Sequence, residues 1–135
     1  MPAELTLRAP GVPASLDEVH ALLQRAWQQH PDVADDDRMR FEIAVVEVAG
    51  NVVEHAGGPV PVEFDLGVRV TADRLEARFR DPGRPVDVDL GAVAMPDALA
   101  ETGRGVALAL ATVDELTYRR EGPVNHWLVL RRRRP

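Results

Sequence analysis

Apolar residues recur at helical intervals at Leu16, Val19, Leu22, Leu23, Ala26 and Trp27, which predicts an amphipathic helix. Ser15-Leu16-Asp17-Glu18 has capping-box spacing at its start, so Ser15 is the expected N-cap. Before it, Leu5 and Leu7 alternate with Thr6 and Arg8 in a short strand closed by Pro10-Gly11-Val12-Pro13. From Asp37 to Ala56 the chain has no proline and one glycine. That stretch is rich in β-branched residues, yet it is far too long for an ordinary strand, and Gly57-Gly58-Pro59 is a helix stop. A second helix is predicted, with Asp35, Asp36 and Asp37 suited to its positive N-terminus.

Period two takes over next. Val60, Val62, Phe64, Leu66, Val68 and Val70 alternate with mostly polar residues, Thr71-Ala72-Asp73 turns the chain, and Leu75, Ala77 and Phe79 alternate again. This hairpin runs into Asp81-Pro82-Gly83. Residues 84–102 keep no period, and a loop of that length in a compact domain is usually functional. Thr102-Gly103-Arg104-Gly105 then opens a short apolar helix, Leu116 and Tyr118 begin another strand, and Val124 to Leu130 return as the last one. The order strand, helix, helix, two strands, loop, helix, two strands predicts an α/β (α+β) fold. The chain is expected to form one domain over residues 1–135.

One flank of the second helix breaks the pattern. At about 100° per residue, Glu47, Asn51 and Glu54 fall within roughly 60° of one another, while valines and alanines cover the remaining circumference. A carboxylate and a carboxamide in such a run are costly unless they perform chemistry. An amide oxygen is a neutral hard ligand that can complete the shell of a Mg²⁺ held by phosphates, a suitable task for Asn51. Glu47, one turn earlier, is positioned to accept a proton from a hydroxyl attacking a terminal phosphate.

Two further motifs follow in order. Asp81 at a strand end can accept from an exocyclic amine, with Gly83 leaving room for a flat ring, although Asp-Pro-Gly alone is more often a plain turn. Gly103-Arg104-Gly105 at a helix start presents backbone N–H groups suited to a polyphosphate, although Gly-x-Gly alone is weak evidence.

Composition narrows the field. With 135 residues, 45% hydrophobic and 28% charged, the chain has the makeup of an ordinary globular domain. It has no cysteine, which excludes disulfides, thiolate metal sites and a cysteine nucleophile. The formal charge of −6 argues against direct binding of nucleic acid over the whole surface. All 16 basic residues are arginine, so any side-chain cation that meets a phosphate is a guanidinium or a histidine. Arg131-Arg132-Arg133-Arg134 is expected to be a solvated end, since no aromatic residues are interleaved to stack bases. Met1-Pro2-Ala3-Glu4 lacks the blocks of a secretory signal and no apolar run approaches about 18 residues, so a cytoplasmic protein without a membrane partner is expected. Ser15 is the only serine, and its capping position leaves a serine hydrolase without support.

Together these motifs resemble the ATP-binding domain of the GHKL superfamily, within it the small anti-sigma serine kinases of the RsbW and SpoIIAB type. Glu47-x-x-x-Asn51 with His55-Ala56 is similar to the family's N box, and Asp81-x-Gly83 with Pro85-Val86-Asp87 to its first glycine box. Gly103-Arg104-Gly105-Val106-Ala107-Leu108, continuing to Asp114, looks like the second, and Asn125 has a familiar place in the final hairpin. The resemblance implies a Bergerat-type two-layer sandwich: a mixed, mostly antiparallel sheet covered by helices on one face, with an ATP lid over about residues 84–102. It implies ATP and Mg²⁺ as cofactors, Glu47 as base, and Asn51 as metal ligand. Asp81 and Gly83 would lie at adenine and Gly103, Arg104 and Gly105 at the phosphates. His55 would line the nucleotide pocket or simply cap the helix. The implied partners are a STAS-domain anti-sigma factor antagonist that accepts the phosphate, a sigma factor that is sequestered, and a second copy in a homodimer. A noncatalytic module that regulates by sequestration alone is the alternative, which retention of both Glu47 and Asn51 disfavours.

Overall fold

The computed structural model describes residues 4–57, 59–85 and 109–134. In chain order these form β1 (Glu4–Pro10), α1 (Ser15–Gln29), α2 (Asp35–Ala56), β2 (Glu63–Val70), β3 (Arg74–Asp81), β4 (Glu115–Glu121) and β5 (Val124–Arg132). A helical turn over residues 109–112 leads into β4. The strands make one sheet in the order β1-β2-β3-β5-β4, and all four pairings are antiparallel. β3 and β4 run in the same direction, but β5 lies between them, so the expected mixture of strand directions produces no parallel pair among the described residues.

Alternation along each strand builds a two-faced sheet. Leu7, Leu66, Phe79, Trp127 and Tyr118 form a row that crosses all five strands, and the Tyr118 and Trp127 rings sit 4.9 Å apart. Beside it, Val68, Ala77, Val129 and Leu116 form an aliphatic row. These side chains meet the buried stripe of α1 (Val19, Leu22, Leu23, Ala26) and that of α2 (Phe41, Ala44, Val45, Val48, Val52) in one core. Burial of several such side chains, at about 1.5–3 kcal/mol each, is what holds the helices on this face. Among the described residues no helix is long and apolar enough to cross a membrane.

Three sequence expectations are corrected. Ser15 is not an N-cap: backbone bonds from Ser15, Leu16 and Asp17 to the carbonyls of Val12, Pro13 and Ala14 have already turned the chain, and the Ser15 hydroxyl donates to Pro10 O at 2.7 Å. The period-two pattern from Val60 overshoots, because β2 starts at Glu63 and Val60 is 83% exposed. Pro59 and Pro61 flank it and offer no N–H to a ladder.

The terminal arginines are not a solvated end. Arg131 Nε pairs with Asp37 Oδ1 at 2.9 Å, with side chains only 5% and 1% exposed, and its other nitrogens reach Thr112 O and Asp36. Arg133 pairs with Asp32 at 2.8 Å and Arg134 with Asp114 at 3.0 Å. The acids at the start of α2 therefore serve the positive helix end and the arginines together.

Candidate functional site

α2 carries the singled-out acid and amide on one flank. Glu47 is half-buried, and among the described residues its carboxylate has no hydrogen-bond or ion-pair partner. Asn51 is buried, and its Nδ2 donates to the Glu47 carbonyl at 3.3 Å. With the nitrogen turned back onto the helix, no donor among the described residues reaches Asn51 Oδ1, the atom suited to a hard cation. His55 donates from Nδ1 to the Asn51 carbonyl at 2.8 Å. The ring thereby satisfies a carbonyl of the last turn, and it also lines a cleft of about 310 Å³ with Pro82, Gly83, Arg84 and Arg120.

The end of α2 is fastened to the turn after β3. Arg84 N–H donates to His55 O at 3.1 Å, and the Arg84 guanidinium donates to Glu54 O at 2.9 Å. A cation at the negative helix end and donors for its orphan carbonyls both favour this contact. A Cβ on Gly83 would stand 2.6 Å from His55 O and 2.9 Å from Ala56 Cα. The glycine is thus required for the turn to approach the helix, independently of any ring. Gly50, by contrast, has no described residue within 4 Å of its Cβ position, so among the described residues no neighbour requires a glycine there.

Asp81 is buried at the last rung of β3, opposite Asn125, which is itself opposite Arg120. Asp81 Oδ1 accepts the Gly83 N–H at 2.8 Å and Asn125 Nδ2 at 3.1 Å. Asn125 also donates to Arg84 O at 2.8 Å, while its Oδ1 accepts from the Tyr118 hydroxyl at 2.5 Å and from Arg120 at 2.9 Å. Arg120 completes the ring of contacts through Gly83 O at 2.9 Å. Tyr118 and Arg120 were not legible as site residues. The one available signal was an arginine at an inward position of a strand whose other inward residues are Leu116 and Tyr118.

α2 is tied to the sheet at both ends: Asp37 meets Arg131 of β5, and the His55 carbonyl, one turn after Asn51, accepts from the Arg84 N–H beyond β3. Gly103, Arg104 and Gly105 lie outside the described residues, as does nearly all of the expected lid. No group of three or more His, Cys, Asp or Glu able to hold a metal occurs among the described residues. An amide oxygen at Asn51 therefore fits a cation only if phosphate oxygens supply most of its shell. Chemically, a carboxylate acceptor in a buried rung can take an amine-bearing ring, an amide oxygen can take a metal–phosphate group, and an acid without a partner among the described residues can take a proton.

A crystal structure of the RsbU and RsbW domains of a Mycobacterium tuberculosis protein is similar in fold, with a TM-score of 0.66 over 98% of this chain at 18% identity. This chain spans 33% of the length of that one. No curated protein sequence matches significantly. The profile of the histidine kinase-like ATPase domain matches residues 10–132, nearly the whole chain. An acid–amide helix fastened to an Asp-x-Gly turn beneath this sheet is thus accounted for: the chain belongs to the histidine kinase-like ATPase domain family.

Proposed function

We propose that this ATPase-family domain is a Mg²⁺-ATP-dependent protein serine/threonine kinase that acts as an anti-sigma regulator. It phosphorylates a STAS-type antagonist and sequesters a sigma factor when that antagonist is absent or modified. The observation that carries the proposal is Glu47, half-buried and without a partner among the described residues, one turn from Asn51, whose amide oxygen no described donor reaches. A merely structural helix of this kind would have an apolar stripe there.

When bound, Mg²⁺-ATP supplies the phosphoryl group and the charge neutralisation. Asp81 Oδ2 accepts from the amine of the base, and Asn51 Oδ1 is the ligand offered to the cation. Glu47 takes the proton from the serine or threonine hydroxyl as its oxygen bonds to phosphorus and the bond to the departing diphosphate breaks. Each residue acts from a fixed element, so orientation rather than new covalent chemistry on the protein accounts for the rate.

The test is calorimetry of Mg²⁺-ATP binding with transfer of labelled phosphate to a STAS-type antagonist. Asn51→Ala is expected to abolish metal-dependent binding, and Glu47→Gln to retain binding and lose transfer. Unchanged affinity in the first variant, or continued transfer in the second, would sink the assignment. Nucleotide and sigma binding with no transfer by the wild-type chain would instead favour regulation by sequestration alone.

A further inference from the structure

The rung Asp81–Asn125–Arg120 crosses three strands on the inward face and has a direction built into it. Asn125 is fully buried, and both ends of its amide are occupied. An asparagine amide can in principle be turned by 180°, exchanging its donor and acceptor ends. That freedom is removed from both ends: the Arg120 guanidinium, which has only donors, faces the amide oxygen, and the Arg84 and Gly83 carbonyls, which can only accept, face the NH₂ group. The NH₂ group is thereby aimed at Asp81 Oδ1, which also accepts the Gly83 N–H. Oδ1 is filled by two donors, and among the described residues no donor reaches Oδ2.

We infer that Arg120 and Asn125 are specificity-determining positioning residues, which set Asp81 as a one-sided acceptor for a ligand amine and exclude a ligand carbonyl. The inference rests on the nucleotide reading above and deepens it. With Asn125 locked as a donor, Asp81 Oδ1 is occupied and its other oxygen is left to accept from a 6-amino group, a donor that a 6-oxo group does not offer. Neither Arg120 nor Asn125 needs to touch the base. Arg120 also donates to Gly83 O, so the same guanidinium steadies the turn that carries the second donor to Oδ1.

The experiment is a comparison of Mg²⁺-ATP with Mg²⁺-ITP, which differ at the 6-position and the adjoining ring nitrogen. Affinities are measured by calorimetry for the full chain and for Arg120→Met, Arg120→Lys and Asn125→Asp. The wild-type chain is expected to prefer ATP by about 100-fold. Arg120→Met, at an exposed position where folding should survive, is expected to reduce that preference about tenfold, because it removes the donor that steadies both Asn125 Oδ1 and the Gly83 carbonyl and so loosens the aim of the two donors on Asp81 Oδ1. Arg120→Lys retains a donor and should recover much of the preference. Asn125→Asp removes the NH₂ donor to Asp81 Oδ1 and is expected to reduce the preference as well. A purely structural role for these residues would lower both affinities together and leave their ratio unchanged, and that result would overturn the inference. Equal affinities in the wild-type chain would also overturn it. Binding of neither nucleotide by the wild-type chain would end the ATP assignment and this inference together, a result distinct from either of those.

Discussion

Arg131→Met tests how the site-bearing helix is held. The substitution keeps a stem of similar size but removes a guanidinium that donates to Asp37 at 2.9 Å, to Thr112 O at 3.0 Å and to Asp36 at 3.4 Å. Asp37, 1% exposed, is left with the Arg134 N–H at 3.0 Å and the end of its own helix. Stranding one partner of a buried pair costs about 3–5 kcal/mol, a large part of the roughly 5–15 kcal/mol that stabilises a domain. For 135 residues the unfolding entropy is about 0.28 kcal/mol/K, so the midpoint should fall by about 10–18 °C. The assay is calorimetric melting, backed by urea unfolding to check that the m-value is unchanged. Arg131→Met combined with Asp37→Leu replaces the pair by apolar side chains and should recover most of the loss. A loss below about 1 kcal/mol in the single variant would refute the reasoning, and so would a double variant no more stable than Arg131→Met.

Gly83→Ala should cost about 1–3 kcal/mol and weaken nucleotide binding, because its Cβ would meet His55 O at 2.6 Å and Asp81 Oδ1 at 2.7 Å. Wild-type stability and affinity in that variant would refute the close-approach account. Gly50→Ala, with no described residue within 4 Å, should stabilise the chain by about 0.5–1 kcal/mol, as a melt would show; destabilisation would mean that a neighbour does need the gap. The carboxyl of Asp32 is held below its ordinary range by the Arg133 guanidinium, and that of Asp114 by the Arg132 N–H and then Arg134. Depressed folded-state values stabilise above the unfolded value and fade as pH falls through the folded one, so unfolding midpoints should drop below about pH 4, less steeply in Asp114→Asn. Trp127 stands beside the Asp81–Asn125 rung, so in Trp27→Phe its emission should shift on adding Mg²⁺-ATP; a flat titration despite calorimetric binding would separate the ring from the site.

Local signals made the scaffold readable. Helix and strand periods survive because each is written within about ten residues, and both Glu47–Asn51 and Asp81–Gly83 lie within one such stretch. Features that failed depend on distant partners. Arg131 and Asp37 are separated by 94 residues, and nothing near either one announces the other. Arg120 and Asn125 are close in sequence, but their importance comes from Asp81, which is 44 residues from Asn125. Ser15 failed for a local reason: the proline-rich turn before it had already begun the helical bonding, so its hydroxyl was free for Pro10. Val60 failed because alternation of apolar residues says nothing about whether backbone N–H groups are available.

The two arginine systems divide one task. Arg131 fixes where α2 begins against the end of β5, while Arg84 fixes where it ends against the turn after β3. Between these points the helix has no freedom to slide, since a shift of one residue would move Asn51 by about 1.5 Å and rotate it by about 100°. Such a displacement would move the amide oxygen relative to Asp81. A rigid core alone would not prevent it, because the apolar face of α2 is made largely of interchangeable valines and alanines that pack about equally well after small adjustments. Charge pairs and glycine-dependent backbone contacts are directional where valine packing is not. They therefore specify the register of the helix, and with it the position of Asn51 relative to Asp81.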